Sequence, residues 1–119
     1  MSDYQPKFIE GPITITATGT ITGGQLCTVA GVVAPADSAT WLGVASRDVV
    51  SGQQFAVWFE GVQRLTAAGA LAAGTLLKCA ANGQVTTWVA GTDGYEKFVG
   101  VTLEAASGAG SVVATRMAR

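Results

Sequence analysis

Eight carboxylates, seven basic groups and two thiols carry the titratable chemistry of this 119-residue chain, and it has no histidine. The commonest general base and soft-metal ligand is therefore missing, and Ser–His–Asp or Cys–His arrangements cannot form. The carboxylates Asp3, Glu10, Asp37, Asp48, Glu60, Asp93, Glu96 and Glu104 are scattered, with no DxD or ExxE pair. A glycosidase-type dyad would have to be assembled wholly by folding. Cys27 and Cys79 fit no zinc spacing and read as two reduced, buried thiols; a disulfide is permitted but not required. No phosphate-cradling GxxxxGK[ST] or GxGxxG is present, and Gly108-Ala109-Gly110 lacks the third glycine and falls in an expected turn. Arg47-Asp48 reads as a turn or an interface contact. Active sites need convergent titratable groups, so the chain is expected to be no enzyme and to use no metal or cofactor.

The elements around these residues are uncharged to an unusual degree. Charged residues make up 13% of the chain, against about a quarter in ordinary domains. Its surface must be built largely of Thr, Ser, Gly, Ala and Gln, which suits close packing against protein partners. Lys7, Arg47, Arg64, Lys78, Lys97, Arg116 and Arg119 form no run or stripe, and the net charge is -1. Phosphate-backbone binding needs cations gathered on one face, so nucleic acid is not an expected partner. No apolar run approaches the length of a membrane span, and Met1–Lys7 has no signal-peptide apolar region. Neither a membrane nor secretion is expected, and synthesis should be cytoplasmic.

An internal duplication organises the chain. Ile15-Thr16-Ala17-Thr18-Gly19-Thr20-Ile21-Thr22-Gly23-Gly24 matches Leu65-Thr66-Ala67-Ala68-Gly69-Ala70-Leu71-Ala72-Ala73-Gly74 at a constant offset of 50. Apolar runs follow each copy, then short strand candidates at Val32–Ala34 and Gln84–Thr86. Trp41-Leu42-Gly43-Val44-Ala45 is echoed by Phe98-Val99-Gly100-Val101-Thr102 at an offset of 57. The added length is expected near Ala90–Tyr95. Ser51-Gly52 and Ser107-Gly108 then precede the last strand of each copy. Alternation in Ile13-Thr14-Ile15-Thr16 marks a half-buried strand, and Val57 and Phe59 flank a Trp58 that is either covered or exposed at an interface. Residues 65–81 are rich in the helix formers Ala and Leu. Their duplicated partner uses Ile, Thr and Gly, so 65–81 is read as strand–turn–strand, with room for a short helical turn. The chain divides into an extended N-terminal arm, 1–12, and one mostly β domain, 13–119, with pseudo-repeats of about 13–60 and 61–119.

The arm carries Tyr4, Pro6, Phe8 and Ile9. Either Phe8 and Ile9 cap the end of the domain, or the arm docks on a neighbouring subunit by strand addition. Trp41, Trp58 and Trp88 are read as core or interface residues, with a sugar-binding platform as the alternative.

The order of arm, TxTATGTITGGQL, WLGVA, FAVWF, GVQRLTAAGALAAGTLL, FVGV and a final VVA strand resembles the capsid decoration, or cement, proteins of tailed bacteriophages. Gly61-Val62-Gln63-Arg64-Leu65 resembles the link between their halves. The resemblance implies a compact β-barrel or β-tulip-like fold and a structural virion protein on the capsid surface, made in the bacterial host. It implies trimers at threefold and quasi-threefold positions, with the arm against the major capsid protein. Candidate capsid or subunit contacts are then Tyr4, Pro6, Phe8, Ile9, Trp58 and Arg64. A carbohydrate- or protein-binding β module and a tail or fibre component are the other readings.

Overall fold

A computed structural model describes residues 13–117, and the arm lies outside the described residues. The chain is mostly β and folds as two duplicated, strand-rich halves. The first holds β1 (Ile13–Thr16), β2 (Leu26–Thr28), β3 (Trp41–Ala45) and β4 (Gln54–Trp58). The second holds β5 (Val62–Thr66), β6 (Leu76–Cys79), β7 (Val85–Thr87), β8 (Phe98–Thr102) and β9 (Val112–Met117). The first sheet has the order β1-β4-β3-β2 and the second β5-β9-β8-β6-β7. Matching β1 with β5, β4 with β9, β3 with β8 and β2 with β6 makes the two orders the same, with β7 added at the end of the second. Every ladder is antiparallel. Even the irregularities repeat, since the β2–β3 and β6–β8 pairings both shift register, between Cys27 and Thr28 and between Leu77 and Lys78.

The Ala-rich stretch from 65 to 81 is strand, turn and strand, and the first helical residue after it is Ala81 in a 3-10 turn, Ala81–Gly83. Tertiary pairing thus outweighs the helix propensity of alanine. Two expectations change. Val32–Ala34 is not a strand: Val33 makes a single bridge to Cys27, and Pro35, with no N–H to donate, follows at once. The extra length of the second half also arises in two places. Cys27 faces Val33, whereas Leu77 faces Thr87, so the offset grows from 50 to 54 across the Ala81–Gly83 turn. The remaining three residues enter between Thr87 and Phe98, where Trp41 and Phe98 hold equivalent places (98 − 41 = 57).

Each half has its own inner face. Ala17, Ile21, Cys27, Ala45, Val49, Phe55 and Val57 form one cluster, with Ile15, Val33 and Leu42 against it. Leu65, Ala67, Leu71, Leu77, Val85, Val99, Ala106 and Val113 belong to the other, and Leu26, Ala34, Trp41 and Val44 of the first half join that second cluster. β2 and β3 are therefore buried on both faces: Cys27 and Ala45 point into their own half, Leu26 and Val44 toward the other.

The four-residue insertion makes this junction. Gly83 donates its N–H to the Ala34 carbonyl (3.1 Å), and the Gln25 amide donates to the Asn82 carbonyl (3.0 Å). Gly83 has φ +68°, and a Cβ there would lie 2.8 Å from both Gln25 Cβ and the Leu26 carbonyl oxygen. Only glycine allows that backbone angle and that closeness together.

Candidate functional site: an open sheet face

The scattered titratable groups mostly tie loops together. Asp48 Oδ1 accepts the Gly23 N–H (2.7 Å), and Arg47 donates to the Gln54 carbonyl. Arg47-Asp48 is therefore turn architecture. Glu104 Oε1 accepts the Ala114 N–H (3.0 Å) beside β9. Among the described residues no three Cys, Asp or Glu side chains gather where they could hold a metal ion.

Among the described residues a dense ionic group is centred on Lys78. Its ammonium donates to Asp37 Oδ1 (2.7 Å) and Asp93 Oδ1 (2.9 Å), and Asp93 Oδ2 accepts the Val89 N–H (2.8 Å). Asp37 comes from the first half, where its N–H donates to the Cys79 carbonyl (3.0 Å); Asp93 comes from the loop before β8. Three segments are clasped by one cation. The hydrogen bonds from both carboxylates hold the Lys78 ammonium above the usual lysine range, and Lys78 with the Val89 N–H holds Asp93 below the usual carboxylate range. A nucleophilic lysine requires the opposite shift, so this group is built to hold rather than to react.

The clasp gives a pH prediction. Asp93's folded pKa is depressed, so its contribution is complete above the unfolded carboxyl value of about 4 and fades as pH falls through the folded value. Lys78's is raised, so its contribution persists up to about pH 10 and fades above that. Urea unfolding of wild type and Lys78→Met should differ by a constant margin between about pH 5 and 10 and converge in acid. A margin that stays constant down to pH 2 would rule the clasp out.

Cys27 and Cys79 are both free and buried. Burial pushes their thiols up to about 11 and about 12, respectively. Native protein at pH 8 should therefore give no reaction with an aromatic disulfide reagent, and both thiols should titrate once denaturant is added. Labelling of either thiol in the native state would contradict this placement.

Contact chemistry is concentrated on the outer face of the second sheet. Cross-strand register places Val62, Arg116, Val101 and Leu76 in one row over β5, β9, β8 and β6. A second row sets Arg64 beside Ala114, with Leu103 donating its N–H to the Ala114 carbonyl (2.9 Å), and a third pairs Thr66 with Val112. Val62, Leu103 and Val112 are each more than half exposed. Neither Arg64 nor Arg116 makes an ion pair among the described residues.

The duplication shows why this face is unusual. Leu26 and Val44, the first-half equivalents of Leu76 and Val101, are 0% and 5% exposed because the second half covers them; Leu76 is 38% exposed. The three-residue insertion covers only one corner of the open face. There Trp88 meets Phe98 edge-on at 5.5 Å and Tyr95 stacks on it at 5.7 Å, while the Trp88 indole donates to the Gly94 carbonyl (2.9 Å).

Of the residues picked out from sequence, Arg64 is exposed on this face. Trp58 is 40% exposed at the end of β4, on the other sheet, opposite Val44. Tyr4, Pro6, Phe8 and Ile9 lie outside the described residues. The three tryptophans do not make one platform: Trp41 is buried at the junction, Trp88 packs on Phe98, and Trp58 is open. Val62, Leu76, Leu103, Val112 and Arg116 were not singled out. Alternation in β5 and β9 signals their outward direction, but their joining into one surface depends on register.

This is a β scaffold whose distinctive surface sets exposed aliphatic side chains around two arginines, with no acidic pair or thiol beside them among the described residues, a surface suited to contact. The chain belongs to the phage cement protein family, whose model matches residues 7–117. It is a capsid-binding, capsid-stabilising structural protein of the virion. Its fold is also that of a solved structure described as the head fiber gp8.5 N base of bacteriophage phi29. That likeness has a TM-score of 0.68 at 19% identity and covers 91% of this chain and 93% of that one. No curated relative matches the chain.

Proposed function

We propose that the protein sits on the outside of the assembled capsid and bridges neighbouring major capsid protein subunits, as a homotrimer at threefold and quasi-threefold positions. Membership of the cement family over residues 7–117 carries this reading. The open face of the second sheet supports it, because exposed apolar side chains grouped on one surface, here Val62, Leu76, Leu103 and Val112, mark a contact site. Many identical joints give strong overall attachment from modest single contacts. Trp58, Arg64 and the arm residues Tyr4, Pro6, Phe8 and Ile9 are the proposed capsid or subunit contacts. The chain is made in the host cytoplasm and joins the shell there, and the bridging is mechanical rather than enzymatic.

The test is shell rupture. Capsids lacking the protein should break at a lower temperature than decorated ones, and adding purified chain should restore the higher value. Restoration by an unrelated protein of similar size, or none by this chain, would refute the reading.

A second reading is a base that seats a longer fibre on the head. The likeness to the fibre base favours it. It differs in requiring a further protein bound to the outward end of the chain on purified virions.

A further inference from the structure

We propose that residues 4–10 of one copy add as a strand to the free edge of β5 in a second copy, laying Tyr4, Pro6 and Phe8 against the open face of the second sheet. Among the described residues β5 ends the order β5-β9-β8-β6-β7 and is paired along Val62–Thr66 with β9 alone. Such an edge presents unpaired N–H and C=O groups and accepts an extended peptide. β1 is the equivalent edge of the first sheet, but its outward residues there are Thr14 and Thr16, whereas β5 presents Val62 with Val112 and Leu103 beside it.

The arm's spacing fits that edge. Side chains alternate along a strand, so Tyr4, Pro6, Phe8 and Glu10 share one side, with three apolar or aromatic members, and Asp3, Gln5, Lys7 and Ile9 the other, with one. The apolar side would meet Val62 and its neighbours, and Glu10 on the same side supplies the charge that Arg64 and Arg116 lack among the described residues. Pro6 has no N–H, which an added outermost strand tolerates because its far side stays unpaired. The twelve residues before Ile13 can span about 40 Å when extended, enough to leave one molecule and cross part of the next. The first half shows what covers this face: Leu26 and Val44 are covered by the neighbouring copy of the repeat, not by their own half. In the second half an arm from a neighbouring chain extends that face by one strand and shields its Val62 border. The inference builds on the trimer reading but is tested without capsids.

The experiment uses engineered thiols in the full chain. The native Cys27 and Cys79 are buried and do not compete. Phe8→Cys protein is mixed with Val62→Cys protein under mild oxidation, with Val50→Cys, exposed on the first half, as the control partner. The expected result is a disulfide-linked heterodimer with Val62→Cys and none with Val50→Cys. The linked yield should fall about tenfold in Arg64→Glu/Arg116→Glu protein and recover when Glu10→Arg is added to the arm donor. The inference is overturned if Val50→Cys links as readily as Val62→Cys, if no link forms, or if a Phe8→Cys/Val62→Cys double variant closes within one chain at high dilution. Rupture tests on the same variants keep the two readings apart. Shell stabilisation without linking rejects the arm exchange alone, and linking without shell stabilisation rejects the capsid role alone.

Discussion

Replacing Gly100 by alanine is expected to destabilise the domain by about 2–3 kcal/mol and to lower its unfolding midpoint by roughly 10 °C. Gly100 lies in β8 opposite Met117, and a Cβ there would drive into the carbonyl oxygen of Arg116 and sit 3.2 Å from Thr115 Cγ2. The obstacle is backbone, so no side-chain rotation relieves it. Either β8 and β9 move apart, losing the pairs of Val101 with Arg116 and Thr102 with Thr115, or the clash remains. The first half repeats the constraint at Gly43, where a Cβ would lie 2.5 Å from the Trp58 carbonyl oxygen and 2.8 Å from Val57 Cγ1. Gly43→Ala should therefore behave like Gly100→Ala. The glycine in the echoed motifs WLGVA and FVGVT is thus required by close strand approach rather than by a turn. Calorimetry checks this: midpoints within 2 °C of wild type would show that the strands are not so close.

The second large effect is a contrast between equivalent leucines. Leu26→Ala should cost about 3–4 kcal/mol, because Leu26 is fully buried where the two halves meet and the Ala81–Gly83 turn closes over it, leaving a cavity that cannot collapse. Leu76→Ala, at the matching place in the second half, should cost less than about 1 kcal/mol, because its side chain is already partly in water. Denaturant unfolding of the two variants measures the difference. Equal losses would mean that the two halves use this face alike, and the second sheet would not present an open contact surface.

The strands and their grouping were legible because the duplication speaks twice. The Ala-rich copy from 65 to 81 looks helical alone, and only its partner, Ile15–Gly24 with its Thr and Gly residues, identifies it as strand and turn. Absence of histidine and scattered carboxylates directed attention to contact surfaces, and the family to which the chain belongs is one of phage cement proteins. The junction was not legible, because it joins residues more than forty positions apart: Gly83 meets Leu26 and Ala34, and Lys78 meets Asp37. Nothing local in Ala81-Asn82-Gly83 marks it as the piece that docks on β2, so the four extra residues around that turn read as part of the later loop instead. Trp58 was legible from the alternation of Val57 and Phe59 around it, and Arg64 from the Gly61–Leu65 link that resembles the family's; each is exposed on its own strand. That Arg64 shares a surface with Val62, Val112, Leu103 and Arg116, and Trp58 does not, follows from cross-strand register, which sequence does not encode at single positions.

The two halves also divide the work. The first is buried against its neighbour through Leu26, Trp41 and Val44 and is tied to it by the Asp37–Lys78 pair. The second carries the open face, the aromatic corner at Trp88, Tyr95 and Phe98, and the free edge of β5. A duplicated domain with one covered and one uncovered copy of the same surface keeps that second copy available for contact with another protein, in keeping with a capsid-stabilising member of the cement family.

The most direct test is electron cryo-microscopy of capsids from the encoding phage, reconstructed with and without the purified chain. The account predicts added density on the outer surface at threefold and quasi-threefold positions, each density formed by three copies and touching more than one major capsid protein subunit. Added density confined to a single subunit, density only beneath a protruding fibre, or no difference between the two maps would contradict it.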